Sequence, residues 1–508
     1  MRSIGSRWFA ISFLLAGLGH GVPAQAARRP GYGGTLRVEL HAAAISFDPR
    51  EWKPGSTDAA ESALLARLMF DRLVTLDNYG RFQAALATTW THDADFKRWQ
   101  FTLRSGVKFS DSSPLTASDV VVALEPLLPS TRKISASGNA IVIHSASPMP
   151  ELLEELSSGR YFIYRVQSDS VSTGTGPFVL EKTESSGDGV AEAKTTRYLF
   201  RANEDSWEGR PFLDRIELTL GLPPLRRLYD LQLGKTDLIE LGPDLTRRAA
   251  QAGLRTWASS PLDLYAIHWD DKHPAASDDR LRAALASTLD RATMAGVLLQ
   301  KQAEPAGSLL PQWLSGYAFL FANGFVPETA VRLRKEMPAT LASAAQPLRL
   351  RVEPPGDVAH LLGDRVAVNA RQSGIIVQVE NRGTPHTIGA PVDSAPPALH
   401  LIRWHLDSLS ARDTLNSMER TFGIADTPEP ISAENGAEEL YAREQRLLGE
   451  HRVIPLVAVP QFVGLGTNVR DWMPAPWGEW RLDEVWLDSE GTPAGAPAGQ
   501  SNPPGEKP

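Results

Sequence analysis

Residues Leu348 to Glu380 constrain this chain more than any other stretch. Leu348–Val352 alternates apolar and polar residues, the period of a strand. Val358–Gln372 carries the helical period and stops at Gly374, and Ile375–Glu380 is a second strand. Strand, helix and strand within about 33 residues make one βαβ unit, whose two strands run parallel because the helix carries the chain back. Ala398–Trp404 reads as a further strand, Ala437–Leu448 as a helix and Val453–Val459 as another strand. The fold class is therefore α/β with at least one mostly parallel sheet.

The rest of the chain continues the alternation. Strands are expected at Leu36–Leu40, Gln100–Arg104, Ile141–His144, Tyr161–Arg165, Phe178–Lys182, Tyr198–Ala202 and Arg215–Leu220. Helices are expected over Ser62–Leu73, over Leu225–Leu233 before Gly234, and from Asp278 or Asp279 to about Leu298. Thr116, with Asp119 three residues on and an apolar run after it, is close to a capping box. No internal repeat is present.

Both ends read differently. Arg2 and Arg7, the apolar stretch Trp8–Leu18 and Ala24-Gln25-Ala26 form a secretory signal pattern over residues 1–26, too short to span a bilayer. Residues 490–508 hold Gly, Pro and Ala without a large apolar side chain, the composition of a disordered tail. The chain has 508 residues, roughly three domains' worth, and its net charge is −8. That balance argues against nucleic acid, which calls for a basic face. With no cysteine the chain has no disulfide, thiolate metal site, cysteine nucleophile or lipoprotein anchor. A soluble exported protein of this kind is expected in the periplasm.

Catalytic motifs are missing. Gly234-Lys235-Thr236 looks like the end of a phosphate loop, but Tyr229 stands where that loop needs glycine, so a helix C-cap is the better reading. There is no G-x-S-x-G and no H-E-x-x-H. The closest histidine pairs, His268/His273 and His400/His405, are five apart, which does not put two ligands on one helical face. Neither a metal, a cofactor nor an enzymatic activity is called for.

Four segments, in order, resemble the family 5 extracellular solute-binding proteins, the oligopeptide, dipeptide and nickel type of periplasmic receptor for ABC importers. The first is Gly34-Thr35-Leu36 with Phe47-Asp48-Pro49 and Met69–Asp77. The second is Ala85–Trp90 with Trp99–Glu125, similar to the family's L-R-x-G-V-x-F-x-D-G and P-L-T-A-x-D-V, except that Ser112 replaces the usual glycine. The third is Gly174-Thr175-Gly176-Pro177-Phe178 followed by an asparagine and Trp207, a pattern suited to a chain crossing between lobes. The fourth is Asp278–Asp290. Gly106, Asp111, Gly174 and Gly176 read as scaffold residues, and the second segment is expected not to touch ligand.

The resemblance implies two lobes that close on a solute by hinge motion, with an extra subdomain on the first lobe. By analogy lobe I combines 27–48, 171–263 and 464–489, the subdomain covers 49–170, and lobe II is 264–463. It also implies delivery of peptides or peptide-like solutes by a monomer to a membrane permease. Trp404-His405-Leu406-Asp407 is similar to the W-x-x-D of peptide-binding relatives, in which the aspartate pairs with the peptide's amino terminus; Ala411 stands where proline is usual. Asp407 is thus the candidate amine partner and Trp404 a candidate cleft wall. His405, Arg403 as a carboxylate partner, and Trp52 and Thr57 in a segment that lines the cleft in relatives complete the candidate set. The alternatives are a receptor for a glycoside, opine or metal chelate, or one feeding a sensor; a secreted hydrolase; and a non-binding paralogue.

Overall fold

Ten strands form the spine of the fold in a computed structural model that describes residues 29–42, 45–53, 55, 57–168, 171–186, 195–354, 356–381, 396–406, 408–423 and 436–488. The expected signal segment and tail lie outside these residues, as does Asp407. In chain order the strands are β1 (Thr35–Leu40), β2 (Phe178–Ser186), β3 (Thr195–Ala202), β4 (Arg215–Leu220), β5 (Leu238–Leu241), β6 (Arg255–Trp269), β7 (Leu348–Val352), β8 (Val377–Asn381), β9 (Leu399–His405) and β10 (Val453–Leu465). They pair in the order β2-β3-β4-β1-β5-β10-β6-β9-β7-β8, with the short strand Glu304–Pro305 also on β10.

The sheet is mixed rather than mostly parallel. β4, β1 and β5 are parallel in one half, and β9, β7 and β8 in the other. Between them run β6 and β10, 15 and 13 residues long, antiparallel to each other and to their neighbours. The βαβ unit is as expected: Leu348 pairs with Val377 in parallel, joined by the helix Asp357–Gln372. A separate four-stranded antiparallel sheet, Ala87–His92, Arg98–Leu103, Ala140–Ser145 and Arg132–Ser137, belongs to the module inserted after β1.

Apolar packing follows the division only in part. One cluster joins the first half of the sheet to the inserted module, from Leu36 through Phe101 and Phe162 to Val485. A second packs Leu281, Leu285 and Leu362 against β7 and β9, and also takes in Leu228 and Ile239 from the first half. A third surrounds Trp404, Leu415, Met418 and Leu440. The second cluster therefore bridges the two halves along β6 and β10, while the first and third lie on one side each.

Several boundaries differ from expectation. The helix predicted over Ser62–Leu73 runs Thr57–Ala66. The chain beyond it leaves the helix because the carbonyls of Leu68 and Met69 accept hydrogen bonds from the N–H groups of Phe178 and Gly176, at 2.8 and 2.9 Å. The helix predicted to reach Leu298 starts under the Asp278 cap but ends at Thr288. There Asp290 caps a new turn through the Thr293 N–H, and Arg291 donates to the Pro455 carbonyl at 2.7 Å. The strand expected at Tyr161–Arg165 lies at Tyr164–Ser168. The segment Gly174–Pro177 joins the inserted module to β2; the strands that run from one half of the sheet to the other are β6 and β10.

The capping box forms, with the Asp119 carboxylate accepting from the Thr116 N–H at 2.9 Å. Ser112, the departure from the family pattern, sits at φ 67°. A side chain is strained there and glycine is not. Ser112→Gly is expected to raise stability by about 0.5–1 kcal/mol, read as a higher urea midpoint at unchanged slope. A lower midpoint would mean that unfolded-chain entropy outweighs the strain.

Candidate functional site

Where β6 and β10 pass between the halves, two prolines face each other: Pro261 pairs with Pro460, with register shifts on either side. Neither has an N–H to give the ladder, so the strands stay adjacent while their cross-links thin out. The ladder is replaced locally. The Gln461 N–H donates to Ser259 Oγ at 2.9 Å, the Ser259 hydroxyl donates to the Ser260 carbonyl at 2.6 Å, and the Ser260 N–H donates to the Pro476 carbonyl at 2.8 Å. Interrupted pairing of this kind is suited to a hinge.

Beside it lies a cavity of about 110 Å³ between the halves. One wall carries Arg67, Arg72 and Phe162 from the inserted module, together with Glu240 and Glu479; the other carries Asp263, Arg403, His405 and Ser408. Asp263 is 5% exposed and is held by two neighbours on β9. Arg403 Nη2 donates to one of its oxygens and His405 Nδ1 meets the other, both at 2.8 Å. Burial pushes the Asp263 carboxyl up, but the Arg403 guanidinium and then His405 outweigh it and hold it well below the usual carboxylate range. Across the cavity Glu479 bridges Arg67 and Arg72. Burial opposes its ionisation too, and the two guanidinium groups win, so its carboxyl is lowered. Arg72 also donates to the Ser157 carbonyl.

The halves touch at the cavity's edge. The His405 N–H donates to the Gly55 carbonyl at 2.9 Å. Gly55 has φ 73°, and a Cβ there would stand 2.4 Å from the Trp404 ring. Only glycine lets the backbone at position 55 pack this close to the Trp404 ring.

Of the candidate residues, Arg403 and His405 line the cavity. Trp404 points the other way, 3% exposed, against Gly55 and Phe422. Trp52 stands behind the wall: its Nε1 donates to the Ser46 carbonyl and its ring meets Phe162 edge-on. Thr57 begins the helix Thr57–Ala66. Asp407 lies outside the described residues, but its neighbours Leu406 and Ser408 both line the cavity. Sequence reasoning missed Asp263, Glu240, Arg67, Arg72 and Glu479. The available signal for Asp263 was a lone acid within the apolar run Leu262–Ile267. Among the described residues no three His, Asp or Glu side chains converge as a metal requires, and no helix is long and apolar enough to cross a membrane.

Residues 81–426 match the family described as bacterial extracellular solute-binding proteins, family 5 Middle. Among curated relatives, Protein XP55 of Streptomyces lividans is 26% identical over 48% of this chain and 47% of its own length. Di/tripeptide-binding protein 2 of Pseudomonas aeruginosa is 25% identical over 59% of this chain and 63% of its own length. The chain thus spans about half to three fifths of the length of these relatives. Among solved structures, the murein tripeptide binding protein MppA of Escherichia coli superposes with a TM-score of 0.73 at 16% identity, over 89% of this chain and 98% of that one, a likeness of fold.

Proposed function

Because the chain belongs to the bacterial extracellular solute-binding proteins of family 5, we propose that it is a periplasmic receptor of an ABC importer that captures peptides or peptide-like solutes. The observation that carries this reading is the charged cavity between two halves joined through β6 and β10. In this reading lobe I is 27–48, 171–263 and 464–489, the subdomain on it is 49–170, and lobe II is 264–463, with Asp263 at the boundary and tied to Arg403 and His405 of lobe II. The lobes swing about Pro261 and Pro460, and only contacts present in the closed form and absent from the open one drive closure. The closed, monomeric receptor then docks on a membrane permease and releases its cargo.

The chemistry of the walls suits a zwitterion. Arg67 and Arg72 share one carboxylate, Glu479, so this node sets two guanidinium groups against one carboxylate at the cavity, with Glu240 on the same wall. Asp407, next to two lining residues, is the expected partner of an ammonium group, which would be costly to bury unpaired. Arg403 is taken up by Asp263, so in this reading it orders the wall and Arg67 and Arg72 meet the ligand's carboxylate. No residue is assigned a catalytic role.

Thermal unfolding of the full chain against di- to pentapeptides tests the reading. A bound peptide at 100 times its dissociation constant adds about 2.7 kcal/mol of stability, and Asp407→Ala is expected to remove the shift. A library in which no peptide raises the unfolding temperature would overturn the peptide assignment.

A further inference from the structure

His405 and Ser410, which flank the cavity-lining Leu406, Ser408 and Leu409, are each tied to the opposite side of the cleft. The His405 N–H bonds the Gly55 carbonyl. Ser410, the N-cap of the helix Ala411–Thr421, donates its hydroxyl to Glu151 Oε2 at 2.6 Å, across 259 residues of chain. The same carboxylate meets Arg412 Nη2 through Oε1 at 3.3 Å. Glu151 precedes the short helix Leu152–Leu156 of the inserted module and does not line the cavity, whereas Leu406, Ser408 and Leu409 do.

We propose that Glu151 is a positioning residue: a latch that, on closure, fixes the cavity-lining Ser408 and Leu409 by engaging Ser410 and Arg412 across the cleft. Three features support this. The Ser410 hydroxyl already accepts the Asp413 N–H at 3.0 Å as a helix cap, so its single proton is free to point at Glu151. A charge-assisted bond and an ion pair on one carboxylate are stronger than either alone, and with Arg412 19% and Glu151 29% exposed the pair is only partly screened by water. Ala411 leaves the segment without the rigidity of a proline at that step, and an external anchor supplies it. Contacts made only by the closed form bias the free chain toward closure and lower the work a ligand must do.

The absence of native cysteine permits a direct test without any ligand. Lys133→Cys and Asp364→Cys place spin labels at exposed positions on the inserted module and on the second half of the sheet. Pulsed electron resonance on the free, full-length chain then reads the distance between them. Glu151→Ala is expected to raise the ratio of long to short distances about tenfold, the value of one charge-assisted bond. Glu151→Arg is expected to do the same, and adding Arg412→Glu to restore the short distance. That rescue separates a latch from a merely structural carboxylate. A distribution unchanged in Glu151→Ala, or a charge reversal that fails to restore it, would overturn the proposal. Should Glu151→Ala not fold, Glu151→Gln, which keeps an acceptor for Ser410 and loses the ion pair, is expected to give a smaller shift in the same direction; no shift would overturn the latch. Peptide binding is not part of this readout, so the outcome stands apart from the identity of the solute.

Discussion

Gly174→Ala is expected to cost about 3 kcal/mol or more of stability, a large fraction of what a domain of ordinary stability has. The backbone angle is not the cause: Gly174 is absent from the positive-φ residues, and alanine tolerates its conformation. The cause is space. A Cβ there would lie 2.0 Å from the Met69 carbonyl oxygen and 2.4 Å from Phe70 Cδ1. Neither side can yield. The Met69 carbonyl accepts the Gly176 N–H at 2.9 Å, the Gly174 carbonyl accepts the Ser110 N–H at 2.8 Å, and Phe70 is fully buried. Between the two glycines the Thr175 hydroxyl donates to Asp71, as does Trp207 Nε1, both at 2.7 Å. Gly106→Ala is the control. Gly106 has φ 79° with open space around it, so that change reports backbone strain alone, about 1 kcal/mol. Urea denaturation of both variants decides the matter. A Gly174→Ala variant no weaker than Gly106→Ala would show slack at this junction.

That junction also explains why the family was legible in the sequence while the cavity was not. The recognisable segments carry local constraints that only certain residues meet: Thr116 with Asp119 in a capping box, Gly106 at positive φ, and Gly174 and Gly176 against Met69. Those constraints act over a few residues or on the backbone, so they leave a pattern in the string. None of Trp99–Glu125 lines the cavity. The cavity is made by side chains far apart in sequence, such as Arg72 with Glu479 and Asp263 with His405. Nothing local requires them to be adjacent, so no spacing announces them.

The strands read well where one face is buried. β4 matches its predicted bounds, and β7 and β8 pair as their alternation implies. β6 was invisible for two reasons. Pro261 interrupts it, and from Leu262 to Ile267 every side chain is buried, so no polar face alternates with an apolar one. β10 was legible only as far as Val459 because Pro460 stands next. The same two prolines that hid the long strands mark the place where the halves are linked.

Asp263→Ala is expected to cost about 3–5 kcal/mol of stability, because it leaves a buried guanidinium without its carboxylate. Arg403 is 18% exposed at its side chain and Asp263 5%, so neither charge can turn fully to water. The apolar pair Asp263→Leu with Arg403→Leu should recover much of the loss, since removing both charges also removes the desolvation cost. Acid titration gives the second readout. The Asp263 carboxyl is depressed in the folded chain, so its contribution is present above its ordinary value of 3.8 and disappears as pH falls below that toward the folded value. Below pH 3.8 the unfolded chain takes up a proton that the folded chain refuses. The fall in stability on acidification should therefore be shallower in Asp263→Ala than in the wild type, by about one proton at most. A variant that unfolds within 1 kcal/mol of the wild type, with the same acid limb, would mean that water screens the Asp263–Arg403 pair. The cavity wall would then be wet enough for Arg403 to turn toward a ligand's carboxylate, and the division of labour between Arg403 and the Arg67–Arg72 node would have to be reversed.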